Sequence, residues 1–592
     1  MLDARLYRAA LVPVILAVVV AAFSLQNRPV ALGTNNVPDA FDATRASTTL
    51  DTLMRRFPDR RPGSAGDNGL AAYVATALGQ RAVGGQDPFQ VSRRAFDAQS
   101  IDGKQTLTNV VATRAGAPGP GLLVLAHRDA ADRGSRAALS ATAVLLELGR
   151  VFADGRLRRT TTLVSTSGGS GGNAGAAEVV RHLPGPIGAV LVIGDMAGVT
   201  VRRPMVVSTS NARGFAPLQL QRTVETAIRT EAGMSSGTLG VADQFVRLAF
   251  PFAPGEQATL LKEGLPAVTL QVSGERGPAG EDALAPGRLE QFGRVALRTV
   301  NALDEGPTIQ GSGSDDLVAL EKVMPGWAIR LLVAALLLAP LLVAIDACAR
   351  VRRRRERVLV WVLWTAATAL PFALAAAVVV LMGSTGLLSV DPPAPVLPDV
   401  VPVAAGPLLV AFFAFLLGWG VRYLVVRMIA IEATSLREEE GGGPAVLLVV
   451  AVLGWLVWIV NPFAAALLVL PAHLWIPILA PGIRVRRGLG VFLVVLSLVP
   501  VALLLLSLAD QLGYGSGGLP AFAWALVLGI SAGQPGAIAW LLWSGVFGAA
   551  VAAAIVAVRG QPDPQAKPDV TVRGPVGYAG PGSLGGTTSG FR

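Results

Sequence analysis

The side chains best suited to chemistry in this 592-residue sequence stand directly after short apolar runs. His127 and Asp129 follow the run GLLVLA at 121–126, and Asp195 ends the run AVLVIGD at 189–195. Imidazole and carboxylate groups hold zinc, and a further carboxylate can take a proton from zinc-bound water. This pattern therefore favours a metal-dependent hydrolytic site, provided that the chain supplies enough further ligands.

Further metal-binding side chains are scarce. The chain has three histidines, His127, His182 and His473, and a single cysteine, Cys348. One cysteine excludes an internal disulfide framework and a cysteine-built zinc or iron–sulfur site. Of all residues 52% are hydrophobic and only 15% are charged, which excludes an ordinary soluble enzyme of this length.

A glycine-rich loop, SGGSGGN at 167–173, allows two further interpretations. It contains G-x-S-x-G centred on Ser170, the pattern of a serine nucleophile, but His182 lies on the following helix and faces elsewhere. It also contains G-x-G-x-x-A from Gly169, with Asp195 roughly twenty residues further on, as in a dinucleotide site. We favour neither and expect a turn that fills space.

These residues are positioned by alternating strands and helices in residues 26–305. Strands spaced by helices of ten to fifteen residues predict an α/β doubly wound domain, with the chemistry at the carboxyl ends of the strands. The predicted strands cover 121–126, 160–166, 189–195, 204–209 and 265–272, and the predicted helices cover 138–151, 173–182 and 216–232.

Apolar runs of membrane-spanning length flank this domain. Residues 9–25 follow Arg5 and Arg8 and predict an uncleaved N-terminal anchor, residues 1–25, rather than a signal peptide that is removed. Residues 306–326 are expected to be a linker. A polytopic α-helical membrane domain of about seven or eight helices is then predicted over 327–558. Its apolar runs are 328–349, 358–382, 401–426, 444–461, 462–481, 488–509 and 519–558.

Basic residues predict the orientation of the chain. The loops 348–358, 422–440 and 482–488 are basic, whereas 383–400 and 510–520 contain no Lys or Arg. The positive-inside bias then places the N-terminus in the cytoplasm of a bacterial-type plasma membrane and residues 26–326 outside. The basic residues behind the net charge of +10 are thus mostly explained by the orientation of the chain in the membrane, and no nucleic-acid partner is expected.

The end of the chain leaves its topology open. Residues 519–558 fit either one crossing with a re-entrant piece or a hairpin, so the tail could end on either side. The tail, 559–592, is rich in Gly and Pro and is expected to be disordered. Within the spans, His473 is a candidate functional residue, because ionisable groups in a membrane are costly; a neutral histidine that is hydrogen-bonded to a neighbouring helix is the alternative.

Seven segments of the α/β domain follow one another in a fixed order. They are RRPGS (60–64), NVVATRAG (109–116), GLLVLAHRDA (121–130), AVLLELGR (143–150), TTTLVSTSGG (160–169), VLVIGDMAG (190–198) and EGLPAVTL (263–270). The series resembles the M28 family of zinc peptidases over about 250 residues. The proportions of the whole chain resemble multispan M28-like membrane proteins, such as the peptidase-like subunit of the GPI transamidase. The resemblance implies a domain that holds two zinc ions through histidines and carboxylates, with a glutamate that activates water.

Three residues match the family's metal site. By the resemblance, His127 is the first ligand, Asp129 orients it, and Asp195 is the later aspartate. Residues 255–257, Gly-Glu-Gln, depart from the Ser-Asp-His that relatives often have.

The remaining family positions lack ligands. The bridging aspartate and its following asparagine align with Ala137 and Ala138, and the paired glutamates align with Gly168 and Gly169. No histidine occurs in 273–282, where the last ligand is expected. An open zinc site needs about three protein ligands, so the resemblance implies a catalytically inactive relative that retains at most vestigial metal positions.

We therefore expect a membrane-anchored, M28 peptidase-like protein without a cofactor. Outside the membrane it would bind a peptide or a partner protein, and its bundle would contact the lipid bilayer and other membrane subunits. One alternative is an active membrane-bound zinc aminopeptidase with atypical ligands. Separately, a single metal ion could still be bound by His127 and Asp195, assisted by Asp132 or Glu275. Another alternative is transport or lipid handling by the bundle, which would require a role for His473 or Asp346.

Overall fold

The chain folds into an α/β domain and a bundle of apolar helices. The structure is a computed structural model. It describes residues 4–80, 89–155, 157–278, 280–309, 311, 314–388, 395–429, 441–481 and 485–559. The predicted disordered tail lies outside these residues, apart from Arg559.

The α/β domain follows the predicted alternation, with longer elements at its centre. Its strands are β1 Gln26–Asn27, β2 Gln90–Ser100, β3 Gly103–Arg114, β4 Ala117–His127, β5 Arg159–Thr166, β6 Ile187–Ile193, β7 Val206–Val207, β8 Ala267–Leu270, β9 Leu317–Ala319 and β10 Lys322–Met324. Helix α1, Ala4–Phe23, precedes them. The domain's helices are α2 Ala43–Arg56, α3 Ala65–Leu78, α4 Arg136–Asp154, α5 Ala174–Arg181, α6 Leu218–Ala232, α7 Val241–Ala249, α8 Glu256–Lys262 and α9 Arg288–Glu305.

Seven strands form one mixed sheet in the order β2-β3-β5-β4-β6-β8-β7. The four strands β4, β5, β6 and β8 are parallel, while β2, β3 and β7 pair antiparallel to their neighbours. The sheet is thus mixed rather than uniformly doubly wound. The reason is the hairpin of β2 and β3, which the prediction did not contain: two residues join these strands and no crossover helix is needed.

The centre of the sheet is apolar because both of its faces are covered. Residues 122–126 of β4 are at most 2% exposed and belong to the main hydrophobic core. Helices α4 and α9 pack against β4, and α3 packs against β3. Burial on both faces explains the continuous apolar runs from which these strands were predicted.

The segment predicted as a linker, 306–326, contains β9 and β10. These two strands form a small antiparallel sheet with β1, in which Gln26 lies opposite Val323. Because β1 follows α1 and β10 precedes the next long helix, this sheet holds the start and the end of the α/β domain together.

The remaining helices form the bundle. They are α10 Gly326–Arg353, α11 Val358–Ala367, α12 Leu370–Ser384, α13 Ala405–Met428, α14 Gly442–Val460, α15 Pro462–Leu474, α16 Ile476–Leu479, α17 Arg487–Ser497, α18 Val499–Gln511, α19 Leu519–Ser531 and α20 Ala537–Arg559. Within the described residues, seven helical stretches are long and apolar enough to cross a membrane: Leu6–Phe23, Gly326–Arg353, Val358–Ser384, Ala405–Met428, Gly442–Val460, Arg487–Gln511 and Ala537–Arg559. The apolar helices α15 and α19 are shorter, 13 residues each.

Candidate functional site

A cavity of about 450 Å³ lies at the carboxyl ends of the parallel strands. The predicted positions His127, Asp129, Gly169 and Asp195 all line it, because they follow β4, β5 and β6 at the same edge of the sheet. The segment 395–400, between α12 and α13 of the bundle, forms another wall. The structure therefore brings these sequence-predicted residues together in one cavity.

His127 lies beside Glu256, the first residue of α8. The Nδ1 atom of His127 is 3.6 Å from Oε2 of Glu256, and the other carboxylate oxygen accepts a hydrogen bond of 2.7 Å from Thr166 Oγ1. Burial lowers the pKa of His127, but the neighbouring carboxylate outweighs it and the pKa lies above its ordinary value. Oε2 of Glu256 has no hydrogen-bond partner in the described part of the chain.

No local pattern in the sequence marks Glu256 as a residue of the site. An acidic residue in the first turn of a helix is an ordinary feature, because it complements the helix dipole. In the sequence, residues 255–257 marked only a departure from the peptidase pattern. Glu256 comes 90 residues after its hydrogen-bond partner Thr166 in the chain, and only the fold brings its carboxylate next to His127.

Asp129 anchors the glycine-rich loop. Its carboxylate accepts hydrogen bonds from the amides of Gly169, at 3.1 Å, and Ser170, at 2.9 Å, and from the Ser170 hydroxyl at 2.5 Å. The amides that a pyrophosphate would need are therefore engaged. A Cβ at Gly171 would lie 2.4 Å from Ile101 Cγ2, so this part of the loop is packed against protein. These contacts explain the loop without a dinucleotide or a serine nucleophile.

Asp195 is 1% exposed, and only one of its two carboxylate oxygens accepts hydrogen bonds from backbone amides. Its Oδ1 accepts hydrogen bonds from the amides of Ala197, at 3.0 Å, and Gly198, at 2.8 Å. Among the described residues, its Oδ2 and that of Asp282 accept no hydrogen bond, although the Ser273 hydroxyl lies close enough to lower the pKa of Asp195. Burial raises the pKa of Asp195 despite the two amides, and the charge of Asp282 raises it further.

The four positions that the sequence resemblance aligns with further metal ligands or their neighbours have no side-chain oxygen or nitrogen atoms. Ala137 is buried at the start of α4, and Ala138 lines the cavity. Gly168 has a φ of +86°, which favours glycine. A Cβ at Gly169 would lie only 2.4 Å from His127 Cβ, so the histidine occupies the place of a side chain there.

The metal-ligating side chains around the cavity do not fit a pair of zinc ions. The described residues contain no group of three or more His, Cys, Asp or Glu side chains that could hold a metal ion. Glu275 forms a buried ion pair of 2.5 Å with Arg247, and Asp132 is exposed. In the described part of the chain, neither Asp132 nor Glu275 therefore forms a metal-binding group with His127 and Asp195.

Two buried arginines hold the strand ends around the site. Arg128 forms an ion pair of 2.8 Å with Asp67, and both side chains are fully buried. Its guanidinium also donates to the carbonyls of Asp67, Ser165 and Thr108. Arg60 donates in turn to the carbonyl of Arg128. Since Arg128 stands between His127 and Asp129, this network fixes the backbone of both.

The bundle is joined to the wall of the cavity by charged contacts. Arg276 forms an ion pair of 2.5 Å with Asp399 of the 395–400 segment, and its guanidinium lies 4.8 Å from the ring centre of Tyr514. Nearby, Arg247 donates to Gln511 of α18 at 2.6 Å. Arg247 also pairs with Glu275, which lines the cavity. The cavity is thus built by both parts of the protein.

The other two histidines make local contacts. His182 forms an ion pair of 2.8 Å with Glu178 on the preceding turn of α5. His473 Nδ1 lies 2.8 Å from the carbonyl oxygen of Val469 on its own helix, and its ring centre is 6.1 Å from that of Tyr7 on α1. The hydrogen bond of His473 thus stays within its own helix, and the contact with the neighbouring helix α1 is made by the aromatic rings.

Comparisons with solved structures find similarities at low sequence identity over about half of this chain. The chain is similar to a glutaminyl cyclase from an Acidobacteriales bacterium, at 14% identity over 47% of this chain and 99% of that one, with a TM-score of 0.36. It is similar to the LapA aminopeptidase of Legionella pneumophila, at 16% identity over 48% and 78%, with a TM-score of 0.37. It is also similar to BSAP, a zinc aminopeptidase from Bacillus subtilis, at 12% identity over 47% and 100%, with a TM-score of 0.35. No protein-family model and no curated protein matches the chain. At these scores, the similarity assigns no activity, metal or ligand.

Proposed function

We propose that this chain is a membrane-anchored, peptidase-like protein that binds the amino-terminal end of a peptide and does not cleave it through a zinc pair. The single observation that carries the proposal is a pair of buried carboxylate oxygens in the cavity that accept no hydrogen bond from the described residues: Oδ2 of Asp195, and Oε2 of Glu256, which lies 3.6 Å from Nδ1 of His127. Buried carboxylates without donors are unfavourable, so a ligand that supplies donors and positive charge is favoured there.

A peptide amino group has the required chemistry. It carries one positive charge and three N–H donors, which suit acceptors on two separate side chains. The rest of the cavity is mixed: Val396, Leu397 and Val400 offer apolar contact, while Gln271 and Arg202 offer polar contact. A volume of about 450 Å³ is within the usual range for small-ligand sites.

The absence of zinc hydrolysis is supported by the donor set. His127 has Glu256 beside it, but Ala138 and Gly169 offer no oxygen or nitrogen side-chain atoms to the cavity. Membrane anchoring is supported by the seven long apolar stretches, and by the basic ends of α10, α13 and α20. In this proposal the α/β domain lies outside the membrane on the side away from those basic ends.

The test uses the full chain purified in detergent. Tripeptides with a free amino terminus are titrated by calorimetry, and the same peptides with an acetylated amino terminus are the matched control. We expect binding of the free peptides only, weakened at least tenfold in Asp195→Asn, because the variant removes the negative charge from one acceptor. Equal binding of both peptide sets, or no binding of either, would contradict the proposal.

The rival is an active zinc aminopeptidase. It requires about two zinc ions per chain by elemental analysis, lost in His127→Ala, together with release of amino-terminal residues from the free tripeptides. We expect the free peptides to be recovered intact. Their cleavage, with stoichiometric zinc, would replace the binding function by the enzymatic one.

A further inference from the structure

A second candidate site lies at the opposite, basic end of the bundle, around Arg422 of α13. The guanidinium of Arg422 lies 5.3 Å from the ring centre of Trp364 on α11 and 5.2 Å from that of Trp419, one turn earlier on α13. Two indole faces therefore hold the cation in place without neutralising its charge.

Arg422 keeps an unused donor in this position. Its Nε is buried and has no hydrogen-bond partner in the described part of the chain. Arg559, the last residue of α20, is close enough for its positive charge to act on that of Arg422. A buried donor beside a second like charge favours an anionic acceptor, and phosphate oxygens match a guanidinium well.

The surroundings indicate that the acceptor comes from lipid. Helix α13 is packed on the bundle through Ala414 and Gly418, and a Cβ at Gly418 would lie 2.4 Å from the backbone of Pro371. The residues that follow Arg422, Tyr423 and Leu424, are 62% and 58% exposed. An arginine framed by tryptophans and by exposed apolar side chains is suited to the headgroup level of a bilayer.

We propose that Arg422 and its two indoles form a binding site for the phosphate of an anionic phospholipid, with Arg559 adding to the positive field. This inference rests on the membrane insertion proposed above and not on peptide binding. The site would hold one lipid against α11 and α13. This lipid would belong to the leaflet at the basic end of the bundle.

The test is native mass spectrometry of the full chain in detergent, titrated separately with phosphatidylglycerol, phosphatidylcholine and inorganic phosphate. We expect one phosphatidylglycerol to bind with preference over phosphatidylcholine, and Arg422→Gln to weaken it about fivefold. Arg427→Gln is the matched control, because Arg427 is exposed on the same helix. It should leave the affinity unchanged. Thermal midpoints of both variants verify folding.

Three results would overturn the inference. Arg422→Gln could bind phosphatidylglycerol like the wild type, Arg427→Gln could lose as much affinity, or inorganic phosphate could bind through Arg422 while the lipid does not. None of these outcomes affects the peptide titrations. A chain that stays soluble and monodisperse without detergent would instead refute membrane insertion itself.

Discussion

Replacing Asp195 by asparagine should stabilise the α/β domain. In the wild type, Oδ1 of Asp195 accepts hydrogen bonds from two amides, whereas Oδ2 is buried without a partner. Asparagine keeps an acceptor oxygen for the amides and puts an NH2 group at the other position. That group can donate to Asp282 Oδ2, which also lacks a partner among the described residues: a Cβ at Gly198 would lie 2.4 Å from Asp195 Oδ2 and 3.0 Å from Asp282 Oδ2.

The size of this effect follows from the unsatisfied oxygen. A buried polar group without a hydrogen bond costs about 1–3 kcal/mol, and more when it is charged. For a domain of this size, 1 kcal/mol shifts the thermal midpoint by roughly 2–4 °C. We therefore expect Asp195→Asn to raise the midpoint of the α/β domain by about 2–12 °C at neutral pH.

The gain should depend on pH in a defined direction. Burial raises the pKa of Asp195 in the folded state, so this state binds the proton more tightly than the unfolded state does. The resulting destabilisation is absent below the unfolded-state pKa of about 3.9 and grows as the pH rises through the folded-state pKa. The difference between Asp195→Asn and the wild type should thus shrink toward zero near pH 4.

The assay is thermal unfolding in detergent, followed by intrinsic fluorescence between pH 4 and pH 8. Asp129→Asn is the matched control, since the carboxylate of Asp129 is saturated by the loop amides and the Ser170 hydroxyl. This variant places an amide hydrogen against those donors and should lower the midpoint. If Asp195→Asn lowered it as well, Oδ2 of Asp195 would have a partner and our reasoning about the cavity would fail.

Two further predictions concern packing and charge around the site. Gly169→Ala should destabilise the domain by about 1–3 kcal/mol, because its Cβ would lie 2.4 Å from a carbon of His127. Gly185→Ala, whose Cβ meets nothing within 4 Å, should leave the thermal midpoint unchanged, and an equal loss in both variants would contradict the crowding. Arg128→Met should cost about 3–5 kcal/mol, since it leaves Asp67 buried without its cation. The midpoint should recover in part when Asp67→Leu is added, and a double variant no more stable than Arg128→Met would refute that account.

The central part of the fold could be predicted because it depends on local pattern. Strands β4, β5 and β6 are buried on both faces, so their apolar runs and the polar residues after them are visible in the sequence. Because the carboxyl ends of parallel strands meet at one edge of the sheet, the sequence also predicts that His127 and Asp195 lie near each other. The hairpin of β2 and β3 was missed because its outer strand, Gln90–Ser100, is largely exposed and polar and has no comparable apolar run.

The contacts that shape the site depend on long-range geometry. Glu256 reaches His127 from a helix that starts more than a hundred residues later, and nothing in its local sequence distinguishes it from a helix-start acid. Arg128 and Asp67 are 61 residues apart, and a buried ion pair has no periodic signature. Segment 395–400 forms one wall of the cavity, although the sequence predicts that this segment belongs to a separate membrane domain.

The carboxylates around the cavity fall into two groups, and the division argues for a ligand. Asp129 and Glu275 are saturated by the glycine loop and by Arg247, so they stabilise the walls. Asp195 and Glu256 each keep one buried oxygen that accepts no hydrogen bond from the described part of the chain, and both side chains line the same cavity. A site that served packing alone would gain stability from amides at those two positions. The two groups should therefore respond in opposite ways: amides at Asp195 and Glu256 should weaken peptide binding while the fold persists, whereas an amide at Asp129 or Glu275 should weaken the fold itself.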